Sequence, residues 1–139
     1  MATRVLVAMD GSDLAERALR FPLEHYDEVE VTALHVVGEP TGMMGQAMSL
    51  AMSDDINEEA RERAQEVHQR AREIAAEYNA EIDTAVEVGH PARAIVDAAE
   101  KFDHVIIGSH SSTVSERLLV GNVAEKVFHQ CPVPITIVR

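Results

Sequence analysis

Hydrophobic positions along the chain fall into two alternating kinds of pattern. Short valine-rich runs without polar alternation are typical of strands that are covered on both faces, as in parallel sheets. Five such runs predict strands, at Arg4–Met9, Val29–Val37, Ile82–Val88, His104–Ile107 and Val133–Val138.

The segments between these runs predict amphipathic helices, because their apolar residues recur every three or four positions. Asp13 and Glu16 predict a capping box at the start of the first helix, and Pro22 should shorten or kink that helix. A long helix is expected from near Asp54 towards Asn79.

Charged residues on the exposed face of the long helix should form pairs four positions apart. Glu59 with Arg63 and Glu66 with Arg70 have this spacing, and each pair contributes about 0.2–0.5 kcal/mol.

Two further helices should begin where the sequence carries start signals, at Pro91 and at Asn122 with Glu125.

Strictly alternating strands and helices predict one three-layer α/β domain over residues 1–139, with a mainly parallel sheet and right-handed crossovers. The connection Gly38–Ser53 is long for this architecture. It is expected to be a loop with one short helical turn packed on the body, or alternatively a lid or partner-binding surface.

Composition narrows the classes of function. With 12 basic and 24 acidic residues, the net charge of −12 disfavours nucleic acids and anionic membranes as partners. No signal-peptide pattern or membrane-spanning apolar stretch is seen, so a cytoplasmic protein is expected. The single cysteine, Cys131, excludes an internal disulfide; a buried inert thiol is favoured over a redox role.

Two strand ends carry the candidate chemistry. Asp10 ends the first strand and Gly108 ends the fourth, and ligands of open α/β sheets bind at such carboxyl ends. Gly121 stands directly before a helix N-terminus, where free amides and the helix dipole favour a phosphate. Alternatively, Gly108 and Gly121 make only a tight turn and a helix start. No Gly-Lys-Ser/Thr follows, so the segment is not a P-loop.

Taken together, several motifs resemble the universal stress protein family over nearly the whole chain. They are "VLVAMDGSDLAERAL", "LHVV", "GHPARAIVDAA", "IIGSHSSTVSERLLVGNVAEKVF" and "CPVPITIVR". The resemblance implies a Rossmann-like, doubly wound sandwich with five parallel strands in the order 3-2-1-4-5. It also implies ATP binding and a homodimer.

The resemblance also implies which residues surround the nucleotide. Asp10 would accept a ribose hydroxyl, Val36 and Ile107 would contact the base, and a glycine-rich segment would hold the phosphates. The complete implied set is Ala8, Met9, Asp10, Val36, Ile107, Gly108, Ser111, Gly121, Asn122 and Val123. Ser111 replaces a family glycine and Asn122 a family serine or threonine. If a positive φ is needed at Ser111, the change costs about 1–2 kcal/mol.

Catalytic and metal-binding constellations are not found in the sequence. No nucleophile with a base is recognised, the seven histidines have no metal-like spacing, and His35 is expected to be a hydrogen-bonded strand residue. The first hypothesis is therefore an ATP-binding stress-response protein, with or without Mg²⁺, that acts by binding or signalling and turns ATP over slowly or not at all. The alternatives are a nucleotide-independent dimeric interaction protein and, more distantly, a small nucleotide hydrolase or transferase. The homodimer would form through Val133–Val138.

Overall fold

A computed structural model describes residues 2–37, 53–109 and 122–139 of the chain. Within these ranges it contains five strands and four helices in the predicted order. The elements are β1 (Thr3–Ala8), α1 (Asp13–His25), β2 (Val29–Val37), α2 (Ser53–Glu77), β3 (Asp83–Val88), α3 (Pro91–Ala99), β4 (His104–Gly108), α4 (Asn122–Gln130) and β5 (Ile135–Val138). The expectations for segment 38–52, and for Ser111 and Gly121, lie outside the described residues.

The five strands form one parallel sheet in the order β3-β2-β1-β4-β5. The predicted fold class and strand order are therefore confirmed. β1 pairs with β2 from Thr3↔Val29 to Ala8↔Leu34, and on its other side with β4 from Val5↔His104 to Val7↔Ile106. The chain reverses its direction of winding between β1 and β4, which opens a crevice at their carboxyl ends.

Two apolar clusters fill the space on opposite faces of the sheet. α1 and α2 cover one face, where Leu19, Val67 and Ile74 pack against inward-facing residues of β1, β2 and β4. α3 and α4 cover the other face, where Ile95 and Val127 pack against Leu6 and its neighbours. Burial on both sides explains why the strand sequences show no polar alternation.

The start of α1 differs from the prediction by one residue. Ser12 is the N-cap: its Oγ accepts a hydrogen bond from the Ala15 N–H at 3.2 Å, while Asp13 is the first helical residue. Nor does Pro22 end the helix, which continues to His25. The buried proline ring packs in the core, and its carbonyl still accepts from the Tyr26 N–H at 3.1 Å.

The two ion pairs expected along α2 are absent from the described residues. Arg70 instead reaches α1, where its Nε and Nη2 donate to Glu16 Oε1 at 3.1 and 2.9 Å, and it also contacts Glu73 at 3.5 Å. For Arg70, a contact with Glu16 of the neighbouring helix has replaced the expected contact with Glu66. No described helix is both long and apolar enough to cross a membrane.

The last strand is shorter than the predicted Val133–Val138. β5 begins at Ile135, because Pro134 has no N–H to donate, although its carbonyl accepts from the Val105 N–H at 3.0 Å. As the structure places β5 at one border of the sheet, its outer side faces away from β4. Cys131 is a half-buried free thiol at the border of the α3–α4 cluster, so the expected burial is only partial.

Candidate functional site

A cavity of about 640 Å³ lies at the carboxyl ends of β1 and β4. This volume is within the range of about 300–1,000 Å³ that is usual for small-molecule sites. Eight of the ten residues expected around a nucleotide line it: Ala8, Met9, Asp10, Val36, Ile107, Gly108, Asn122 and Val123. The other two, Ser111 and Gly121, lie outside the described residues.

The turn between β1 and α1 fixes the acidic group of the cavity. Asp10 Oδ1 accepts a hydrogen bond from the Ser12 N–H at 2.9 Å, which orients the carboxylate. Between them, Gly11 has a φ of +84°, a conformation that favours glycine. Asp10 Oδ2 makes no hydrogen bond to a described residue, so the carboxylate keeps capacity to accept from a ligand.

Met9, the residue that follows β1, is hydrogen-bonded to β2. The Met9 N–H donates to the Leu34 carbonyl at 2.8 Å, and His35 Nδ1 donates to the Met9 carbonyl at 2.9 Å. His35 is 5% exposed, so the prediction that it is a hydrogen-bonded strand residue is confirmed. The adjacent His68 of α2 donates from Nε2 to the Ala85 carbonyl at 3.1 Å, and burial lowers its pKa below the ordinary value.

One wall of the cavity is apolar. Leu34, Pro91 and Ile95 line it together with the expected Ala8, Val36 and Ile107. The sequence contained a signal for Leu34, because it is two positions before Val36 in a strand and therefore on the same face. Ile95 belongs to the helix predicted from Pro91, but the sequence pattern did not show that it reaches the cavity.

Gly108 is required by packing between elements. A Cβ atom at this position would approach Leu14 Cβ to 3.0 Å and the Leu14 carbonyl carbon and oxygen to 3.1 Å. The glycine therefore lets the end of β4 lie against the first turn of α1. The sequence interpretations of Gly108 were a tight turn or a ligand site; the structure places it at the end of β4, packed on α1 and lining the cavity. The buried Ser109 follows, also lines the cavity, and donates its N–H to the Val138 carbonyl at 2.8 Å.

Sequence reasoning missed the basic residue of the site. Arg63 lines the cavity from α2, and its Nη2 approaches the Asp10 backbone oxygen to 3.5 Å, a long hydrogen bond. Asp10 and Arg63 are the two charged side chains in the described lining. The sequence indicated only a solvent-facing pair with Glu59, because a contact across 53 positions has no local signal.

The described lining can bind a small molecule that has an apolar plane, hydroxyls and negative charge. Besides its apolar residues, polar groups of Asp10, Ser12 and Asn122 line it. The start of α4 at Asn122 presents backbone amides at one side of the cavity. No group of three or more metal-ligating side chains is found among the described residues.

Similar solved structures share this architecture. The universal stress protein UspA from Lactobacillus plantarum is 24% identical, with a TM-score of 0.79, and the match covers 99% of this chain and 97% of that protein. A universal stress protein from Archaeoglobus fulgidus, solved in complex with dAMP, is 24% identical with a TM-score of 0.68, over 100% and 98% of the two chains. One from Arabidopsis thaliana, 15% identical with a TM-score of 0.67 over 97% and 90% of the chains, has AMP bound.

Sequence comparison leads to the same family. Universal stress protein MJ0531 of Methanocaldococcus jannaschii is 38% identical over 60 residues, which are 42% of this chain and 35% of that protein. The match therefore spans about a third of the relative's length. The family model for the universal stress protein family matches residues 1–139. On this evidence, the chain belongs to the universal stress protein family.

Proposed function

We propose that residues 1–139 form one universal stress protein domain that binds ATP in the cavity between β1 and β4, and that acts by binding or signalling without efficient turnover. One observation carries the proposal. Residues from five separate elements or turns, each expected at the nucleotide from sequence, line a single cavity at the point where the strand order reverses. This is where open α/β sheets bind their ligands.

The shape and chemistry of the lining fit an adenine nucleotide. Val36, Ile107 and Leu34 offer an apolar surface for the base. Asp10, oriented by the Ser12 N–H, accepts a ribose hydroxyl. The start of α4 at Asn122 favours the phosphates through its amides and dipole.

These contacts fit an adenine nucleotide in general, and the choice of ATP is a further step of the proposal. The dAMP and AMP complexes belong to relatives that share the fold at 24% and 15% identity, and they support an adenine nucleotide of unspecified phosphate number. The participation of Ser111 and Gly121 rests on the resemblance of the sequence. Asp10 is the one carboxylate in the described lining, so Mg²⁺ would arrive bound to the phosphates of ATP.

A thermal shift with Mg-ATP tests the proposal. A ligand present at about 100 times its dissociation constant stabilises the native state by about 2.7 kcal/mol, so the Tm should rise clearly at millimolar ATP. Asp10→Asn should weaken this response while keeping the fold, because asparagine retains an oxygen for the Ser12 N–H. Asp13→Asn is the matched control, since it removes an exposed carboxylate from the same turn outside the cavity lining.

A nucleotide-independent interaction protein is the second candidate, favoured by Ser111 and Asn122 at two positions of the family's phosphate pattern. No thermal shift at millimolar ATP would favour it over nucleotide binding. Slow hydrolysis is tested separately by prolonged incubation with ATP and chromatography of the products; rapid conversion to ADP would contradict the absence of efficient turnover.

We further propose a cytoplasmic homodimer. β5 forms one border of the sheet, and a border strand presents unpaired backbone groups that a second copy can cover. The half-buried Ile135–Val138 segment would pair with its copy across a two-fold axis.

A further inference from the structure

Arg63 combines two features: it has no carboxylate partner among the described residues, and it lines the cavity. The chain has twice as many acidic as basic residues, and Arg4, Arg20 and Arg70 each pair with a carboxylate. Arg63 forms no ion pair with any described residue, and apart from the long contact to the Asp10 carbonyl its N–H donors have no partner among those residues. It is also the only basic side chain of the described cavity lining.

The guanidinium and the start of α4 enter the cavity from opposite layers. α2, which carries Arg63, packs with α1 on one face of the sheet. α4, which begins at Asn122, packs with α3 on the other face. Two groups in the cavity therefore favour a negatively charged ligand: the start of α4 at Asn122, and the Arg63 guanidinium beside Asp10.

Under the proposed function, the 5′-phosphates lie at Asn122 and the ribose lies at Asp10. Arg63 then adjoins the ribose hydroxyls. A guanidinium beside the ribose is suited to a phosphate ester on one of its hydroxyls, as an arginine accommodates the 2′-phosphate of some dinucleotides. The remaining free hydroxyl can still donate to Asp10, while the charge of Arg63 offsets repulsion between that carboxylate and the ester.

We propose that Arg63 binds a phosphate carried on the 2′- or 3′-hydroxyl of the ribose, so that the site prefers adenosine bisphosphates of this kind to AMP. This inference rests on the proposed function and specifies its ligand class. The position of the second phosphate, 2′ or 3′, is decided by which compound binds more tightly.

Calorimetric titration of the full chain with AMP, adenosine 2′,5′-bisphosphate and adenosine 3′,5′-bisphosphate tests the inference. In the unmodified protein, one bisphosphate should bind about tenfold more tightly than AMP, as expected for a charge-assisted Arg–phosphate contact. Arg63→Gln should reduce this preference to less than about twofold and change AMP affinity little; Arg63→Lys should retain part of it. Arg61→Gln is the matched control, because it removes the same charge from an exposed position of α2 outside the cavity lining.

The outcomes separate this inference from the proposed function. If AMP and ATP bind but neither bisphosphate binds more tightly than AMP, the role of Arg63 is overturned and nucleotide binding stands. Equal losses for AMP and bisphosphate in Arg63→Gln would assign Arg63 to the 5′-phosphate and also overturn it. If no adenine nucleotide binds to the folded protein, both proposals fail.

Discussion

His35 Nδ1 donates a hydrogen bond to the backbone oxygen of Met9 across 2.9 Å. The Met9 N–H donates to Leu34, the residue before His35, so β2 holds both polar groups of the Met9 backbone. Met9 lies between the end of β1 and Asp10. This pair of contacts therefore fixes the position of the backbone from which the Asp10 carboxylate extends. A buried polar side chain in the sheet thereby supports the site above it.

Replacing His35 with phenylalanine should expose this dependence. His35→Phe keeps a ring of similar size but leaves the buried Met9 carbonyl without its donor, so the free energy of unfolding should fall by about 1–3 kcal/mol. Urea denaturation measures the change. His90→Phe, at an exposed position without a side-chain cap hydrogen bond, should stay within about 0.5 kcal/mol of the original protein. An unchanged stability of His35→Phe would show that the hydrogen bond contributes nothing.

The sequence predicted the elements and their order because burial on both sides of a parallel sheet leaves a strong signal. Each predicted strand contains most of an observed one, and the long helix is correct to within about two residues. Local chemistry was predicted less well where two alternatives were close in energy: Ser12 and Asp13 both make good N-caps, and the local sequence did not decide between them.

Family motifs and strand ends predicted most of the described cavity lining that forms the candidate site. Asp10 and Gly108 were found because each follows a buried apolar run. Arg63 was missed, since its helical spacing favoured a pair with Glu59 and only the packing of α2 on α1 brings it to the cavity. Long-range contacts of this kind depend on tertiary geometry that local periodicity does not contain.

The buried His68 and the half-buried His104 should make the stability depend on pH. Burial lowers the pKa of His68 and of His104 below the ordinary value of 6.5; His35 and Arg72 beside His68 act in the same direction. The unfolded chain therefore takes up protons before the folded protein as the pH falls through 6.5, and stability should decrease as the pH is lowered from neutral to below 6.5.

Urea midpoints across this range test the linkage. His68→Gln keeps an N–H donor for the Ala85 carbonyl but cannot be protonated, so the decrease with falling pH should be smaller than in the original protein. His104→Gln should have the same effect, because its amide can still reach the Thr136 hydroxyl. An identical pH slope in both variants would contradict a contribution from these side chains.

Gly108→Ala should destabilise the protein through a clash between elements. The added Cβ would meet Leu14 at 3.0–3.1 Å, partly against backbone atoms that cannot rotate away. Overpacking of this kind costs about 1–3 kcal/mol, whereas an unhindered glycine-to-alanine change stabilises by about 0.4–1 kcal/mol. Thermal or urea unfolding distinguishes the signs. A stabilised Gly108→Ala variant would mean that α1 shifts without cost.

Ser111→Gly tests the family pattern at a position outside the described residues. If the family's glycine there has positive φ, restoring it removes a cost of about 1–2 kcal/mol, and ATP should bind about five- to thirtyfold more tightly. Ser112→Gly is the control, because the family pattern has no glycine at that position. Unchanged or weaker binding of ATP by Ser111→Gly would indicate that the segment binds phosphate by other contacts or not at all.

The border strand β5 allows a sharp test of the proposed homodimer. The Pro134 carbonyl accepts from Val105 of β4, and the Val138 carbonyl accepts from Ser109, which follows β4. In a strand of period two, the backbone groups of Ile135 and Ile137 therefore point outwards. Ile137→Pro removes an outward N–H without removing a donor to β4, and it should convert a dimer to a monomer in light scattering at micromolar concentration. Ile137→Ala is the matched control: it loses similar apolar packing in the α3–α4 cluster but keeps the N–H, so it should remain dimeric. If the original protein is monomeric, or if Ile137→Pro and Ile137→Ala dissociate equally, pairing through the β5 backbone is contradicted.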